Sequence, residues 1–195
     1  MRRVIPLLAV AALAGCGHGE ASPKLKVSVL PKLVLQPQDV PGLDRFDVGR
    51  ITRFDAPEGP RADPIRFGRL DGWKTDYKRA GGVETPGALV VHSQTDLFES
   101  SDGARKDLDA YRDEFRKARD ASPQSVDLLE PKLGDDAAGL VIRQGGNPGL
   151  KIFTVAWVDG GVSASVTVNG FTRLTRTDAL GLARRQEQRI LEASR

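Results

Sequence analysis

The sequence predicts an α+β domain, an antiparallel sheet of about five to seven strands with two main helices. Three observations carry this. Ala104, Leu108, Tyr111, Phe115 and Ala118 form one apolar stripe at helical spacing, and Ala179, Leu182, Ala183, Gln186, Ile190 and Ala193 form another; each set falls on one face of a helix. Val162, Ala164, Val166 and Val168 alternate with Ser163, Ser165, Thr167 and Asn169, the period of a strand with one buried face. Glycine-rich turns at 145–149 and 159–161 join neighbouring strand patterns with no helix between them, which suits a meander. The chain has 195 residues, 39% hydrophobic and 28% charged. That is the balance of one globular domain large enough to hold a core without disulfides.

The chain opens Met1-Arg2-Arg3, followed by an apolar run over 4–13. The run has about half the roughly 20 residues that a membrane-spanning helix takes and the size of the apolar region of a secretory signal. Leu13-Ala14-Gly15-Cys16 follows directly. This tetrapeptide resembles the lipobox of bacterial lipoproteins at all four positions. The resemblance implies that the Cys16 sulfur takes a diacylglyceryl group, that residues 1–15 are removed as the signal peptide, and that Cys16 becomes the mature N-terminus. A thiolate is nucleophilic enough for that transfer. Acyl chains then anchor the protein at roughly 0.8 kcal/mol per buried CH₂. Ala12-Leu13-Ala14 also fits the A-x-A site of an ordinary signal peptidase, whose use would release a soluble protein with a free Cys16. Cys16 is the single cysteine, so no disulfide forms within one chain. The net charge of +3 includes Arg2 and Arg3. The mature domain is therefore close to neutral and shows no charge signature of nucleic-acid binding.

Residues 16–32 read as a tether, small and polar at its start, and 33–195 as one folded domain. Leu33, Val34 and Leu35 predict a short apolar strand, and Pro37 opens one helical turn that Pro41-Gly42 ends. The stretch Leu35-Gln36-Pro37-Gln38-Asp39-Val40-Pro41-Gly42 resembles the opening of the folded domain in actinobacterial lipoproteins of unknown function. Residues 44–64 read as loop, with one short strand around 51–54. Asp71-Gly72 between 67–70 and 73–77 predicts a two-residue hairpin turn, with Trp73, Thr75 and Tyr77 on one face and Lys74, Asp76 and Lys78 on the other. A long strand follows over 88–98. Ser100 or Ser101 then caps a helix running to about residue 119, with Asp102/Lys106 and Asp113/Lys117 on its solvated face. A short strand is expected at 126–129, then the meander. In its middle strand Ile152 and Ala156 share one face while Phe153, Val155 and Trp157 share the other, so both faces need cover. The expectation is helices on one side of the sheet and loop or N-terminal chain on the other. Thr175 and Asp178 form a capping box before the last helix.

Few residues suggest chemistry. His92 is the one histidine of the folded part, and a base needs an orienting acid and a nucleophile that no local motif supplies. His18 lies in the tether, which excludes a two-histidine zinc site within the chain. Asp135-Asp136 offer oxygens to a divalent cation, but without the spacing of a calcium loop. The stretch Gly134-Asp135-Asp136-Ala137 resembles a turn in the same actinobacterial lipoproteins. Gly145-Gly146 and Gly160-Gly161 join strands, whereas a phosphate loop must open a helix. Arg184, Arg185 and Arg189 make the last helix the most basic region, a weak candidate surface for anionic headgroups or an acidic partner.

The order strand, helix, strands, helix resembles the sandwich of PsbP-like proteins, a likeness of fold alone. The expectation is a lipoprotein anchored on the extracytoplasmic face of the cell membrane, acting as a non-enzymatic binding or interaction module. It would need no cofactor, catalytic residues, metal or nucleic acid, and its partners would be the membrane through its anchor and an envelope protein. The alternative is a carrier of a lipid or small apolar ligand in a pocket between sheet and helices.

Overall fold

A computed structural model describes residues 25–57, 61–146 and 149–195. Cys16, His18 and the signal segment lie outside the described residues. Seven strands form one antiparallel sheet: β1 (Asp44–Thr52), β2 (Arg69–Lys78), β3 (Val90–Phe98), β4 (Val126–Leu129), β5 (Asp136–Gln144), β6 (Leu150–Asp159) and β7 (Val162–Gly170). Their order is β1-β2-β3-β7-β6-β5-β4. Three helices accompany them: α1 (Leu30–Leu33), α2 (Ser101–Ala121) and α3 (Arg176–Ala193). The α+β reading holds, and the meander occupies the expected place.

The two long helices lie on opposite faces, where the expectation put helices on one side. Ala104, Leu108 and Phe115 of α2 pack with Leu140, Ala156 and Val158. Ala179, Leu182, Ala183 and Ile190 of α3 pack with Val155, Trp157, Val166 and Val168. Each helix is fixed at its start by a side-chain cap. Ser100 Oγ accepts from the Gly103 N–H at 3.1 Å. Thr175 and Asp178 form the reciprocal capping box. The Asp102–Lys106 pair forms at 2.6 Å, while Lys117 pairs with Glu114 and Arg116 with Asp113.

Three local expectations change. First, Leu33, Val34 and Leu35 are no ladder strand: Leu30–Leu33 makes one helical turn, and Leu30, Leu33, Val34 and Leu35 are all buried. The segment docks by hydrogen bonds to side chains of the sheet. The Leu35 carbonyl accepts from Tyr77 Oη at 2.8 Å and Thr75 Oγ1 at 3.1 Å, and its N–H donates to Ser93 Oγ at 2.9 Å. The folded part therefore begins ahead of residue 33, inside the stretch read as tether. Second, the stretch read mainly as loop contains β1, a nine-residue edge strand whose residues are mostly exposed, Ile51 alone among them being buried; so short a buried part leaves no apolar alternation along the strand. Third, Asp71-Gly72 is no hairpin turn. β2 runs through both residues, past a bulge between Arg69 and Asp71. A Cβ on Gly72 would overlap Asp96 Oδ1 and sit 3.2 Å from the Thr95 carbonyl, so the glycine serves close approach of two strands.

Candidate functional site

Cross-strand register lays three rows of side chains over the sheet face that α2 occupies. One row reads Asp76, His92, Thr167, Thr154, Leu140. The next reads Lys74, Gln94, Ser165, Ala156, Ala138, and the third Gly72, Asp96, Ser163, Val158, Asp136. The first two rows turn from polar to apolar on passing from β2 and β3 to β5, while the third returns to a carboxylate, Asp136, at β5. α2 packs on β4, β5, β6 and β7. Its edge and the polar part of the rows enclose a cleft of about 250 Å³, lined among others by Arg61, His92, Phe115, Ile142, Thr154 and Thr167.

One end of the cleft is closed by a buried ionic network. Arg61 comes from the connection between β1 and β2, and its side chain is 2% exposed. Its Nε donates to Asp107 Oδ1 at 3.1 Å and its Nη2 to Asp96 Oδ2 at 3.0 Å. Its Nη1 donates to the Tyr111 hydroxyl, and the guanidinium lies 4.5 Å from that ring's centroid. Ser163 Oγ donates to Asp107 Oδ2 at 2.7 Å, and Gln94 Nε2 to Asp96 Oδ2 at 2.5 Å. The Arg69 guanidinium lies 3.6 Å from Asp96. Burial pushes the Asp107 carboxyl up to about 6, against the pull of Arg61, with Asp96 adding to the rise. Burial likewise pushes the Tyr111 hydroxyl up to about 12, again against Arg61. Burial works against the charge of Arg61 itself, but Tyr111, Asp107 and Asp96 outweigh it and hold the guanidinium protonated beyond its ordinary range. Such a network adds little net stability against an apolar core, but breaking one partner leaves a buried charge unmatched. It ties the β1–β2 connection to α2 and to the floor of the cleft.

The other end carries His92. Its Nδ1 lies 2.7 Å from Asp76 Oδ1, with the two side chains 20% and 13% exposed. The register of β2 on β3 thus supplies the orienting carboxylate that no sequence motif showed. The serine and threonine hydroxyls of the cleft each make one hydrogen bond within the protein: Ser165 Oγ accepts from the Tyr111 hydroxyl at 3.2 Å, and Thr154 and Thr167 share a hydrogen bond of 3.1 Å.

The other sequence candidates stand away from the cleft. Asp135 Oδ2 accepts from the Gly160 N–H at 3.0 Å and so closes the β6–β7 turn. Asp136 pairs with Arg112 at 2.5 Å, and that hydrogen bond is the main reason its carboxyl sits below the ordinary range. Among the described residues, no group of three or more His, Cys, Asp or Glu side chains is placed to hold a metal ion. Arg185 donates to the Asp39 carbonyl, and Arg189 Nε to Asp39 Oδ2 at 2.7 Å, so both staple α3 to the N-terminal segment; Arg184 is exposed. A second hollow, of about 290 Å³, lies beside Arg185 and Arg79. Arg79 donates to the carbonyls of Ala88 and Pro86.

The chain matches no protein-family model and no curated protein sequence. Its fold is shared. The crystal structure of the extracellular domain of PknH from Mycobacterium tuberculosis superposes with a TM-score of 0.65, at 12% identity, over 88% of this chain and 99% of that one. At that identity the likeness is one of fold.

Proposed function

We propose that this chain is an extracytoplasmic binding module, tethered to the membrane through Cys16, whose recognition seat is the cleft between α2 and the sheet. The observation that carries the reading is the cleft itself: an open site with one apolar wall and one polar wall, backed by the ionic network around Arg61. Proteins place ligands in such concave sites with a few fixed polar groups. Likeness of fold to the extracellular domain of PknH supports the extracytoplasmic part, as does the signal-like N-terminus. The reading is non-catalytic: Asp76 holds His92 as a fixed hydrogen-bonding group, while Tyr111 and Thr154 engage the neighbouring hydroxyls of Ser165 and Thr167. A volume of about 250 Å³ lies below the range of drug-sized pockets, roughly 300–1,000 Å³. It suits a small ligand or the head of a larger one, and weighs against a carrier that encloses a whole lipid.

The test uses cells that make the full chain. Protease added to cells stripped of their outer envelope layers, with the cytoplasmic membrane intact, is expected to digest the protein. Wild type is expected to enter the detergent phase on phase partition with a lipid-linked Cys16 as its N-terminus by mass, and Cys16→Ser to lose that lipid-linked form, either keeping its signal or being cut after Ala14. A protein that survives protease on those cells, or a Cys16→Ser chain that is still lipid-linked by mass, overturns the reading. Native mass spectrometry of the purified protein then separates a retained small ligand from a bound protein.

A further inference from the structure

We infer that the cleft selects an uncharged, hydroxyl-bearing amphipathic molecule, with its apolar part against Phe115, Leu140 and Ile142 and its hydroxyls toward Thr154, Thr167 and Ser165. This rests on the cleft being the recognition seat. Two features of the lining specify the class.

The first is charge. Arg61 and Arg69 face Asp96 and Asp107, two cations against two carboxylates. Glu114, at the α2 edge of the cleft, pairs with Lys117 at 2.7 Å. Asp76 faces His92, and Lys74 pairs with Asp47 at 3.2 Å. The arginines of the network, Glu114 and Lys74 thus find opposite charges within the protein, and Asp76 is held by the His92 ring. A charged ligand would give up water without finding an opposite charge to replace it, and burying an ion that way is costly.

The second is the stock of hydrogen-bonding groups. A hydroxyl holds one proton and two lone pairs. Thr154 and Thr167 use one proton in the bond they share, leaving one proton and most of their lone pairs. Ser165 accepts from Tyr111 and keeps its own proton to give. These groups both donate and accept at short spacing on neighbouring strands, which is what vicinal hydroxyls require. Across the cleft, Phe115, Leu140 and Ile142 offer carbon alone. Such a ligand occurs free or as the head of a membrane glycolipid.

The experiment uses the full-length chain bearing Cys16→Ser, prepared without detergent, and calorimetric titration at probe concentrations below micelle formation. The probes are hexyl glucoside, hexyl phosphate and hexylammonium, which share one tail. Hexyl glucoside is expected to bind, with each charged probe at least about tenfold weaker, the effect of one unmatched polar contact or more. Thr167→Val is expected to weaken the glucoside. Ala118→Phe, which fills the cleft from a half-buried position, is expected to abolish its binding at an unchanged melting temperature. A charged probe that binds as well as the glucoside, and is lost in Ala118→Phe, overturns the ligand class and leaves the cleft as the seat. Binding that survives Ala118→Phe, or no binding by any probe, overturns both. Co-sedimentation with phosphatidylcholine vesicles carrying a glucosyl diacylglycerol, lost in Ala118→Phe, assigns the membrane source. Binding of hexyl glucoside without co-sedimentation assigns the free one.

Discussion

Asp107 is a carboxylate on the buried side of α2, fully shielded from solvent, and its protonation is linked to folding. Its folded pKa of about 6 lies above the ordinary 3.8. The folded state therefore holds that proton more tightly than the unfolded chain does. The resulting stabilisation is complete below the ordinary value and is lost as pH rises through the folded one. From pH 4 to pH 7 wild type should lose on the order of 2–3 kcal/mol from this group, since a tenfold difference in proton affinity between the two states is worth about 1.4 kcal/mol. Asp107→Asn, which carries no titrating proton, should flatten that slope; equal slopes of melting temperature against pH in the two proteins would remove Asp107 as the cause. The sequence holds a signal for part of this site, although the apolar stripe of α2 leaves Asp107 out. Asp107 stands between Ala104 and Leu108, on the very face that reads as core, and a carboxylate there must find partners inside. Arg61 gave no signal, because it lies in an irregular segment and its partners come from β3 and α2. His92 was visible, but its partner Asp76 depends on how β2 registers on β3, and spacing along the chain does not encode that.

The elements whose pattern stands in the sequence are those whose burial is one-sided and local. α2, α3 and the β5–β7 meander each carry their period on their own residues, and caps or glycine turns mark their ends. β1 and β2 were obscured for different reasons. The long exposed run of β1 hides its period, while β2 carries a dipeptide, Asp71-Gly72, whose turn preference is overridden by tertiary contacts. Asp71 is buried and forked by Arg50 Nε, with both distances 2.9 Å; Gly72 leaves room for Asp96. Gly72→Ala should therefore destabilise by about 1–3 kcal/mol through overpacking. Gly49→Ala in β1, where a Cβ meets nothing within 4 Å, should change stability by less than about 0.5 kcal/mol. Similar melting shifts for the two variants would mean that β2 and β3 do not approach as closely as described.

At the scale of the molecule, the serine and threonine side of β7 was expected to be wet, and it is where α2 and Arg61 meet the sheet: Ser163 and Ser165 are buried and Thr167 half-buried. Short polar side chains there leave space, and that space is the cleft. The layout has another consequence. β1, β2 and β3 pair only with neighbours in sequence, and so do β4, β5, β6 and β7, except for the single ladder in which β3 meets β7. That seam is pinned by Gln186 of α3, which donates to the Gln94 carbonyl at 2.8 Å and to Thr95 Oγ1 at 2.9 Å while accepting from Ser93 Oγ at 2.7 Å. The chain is in effect two contiguous pieces that share one strand ladder, with Arg61 and Asp39 of the first reaching across to α2 and α3 of the second. A bisection between Glu99 and Ser100 severs no strand and leaves the cap of α2 with the second piece. Two fragments divided there should reconstitute the fold when co-expressed, and Gln186→Ala in the second should weaken their complementation. That would make the domain a split reporter, whose closure returns one continuous seven-stranded sheet.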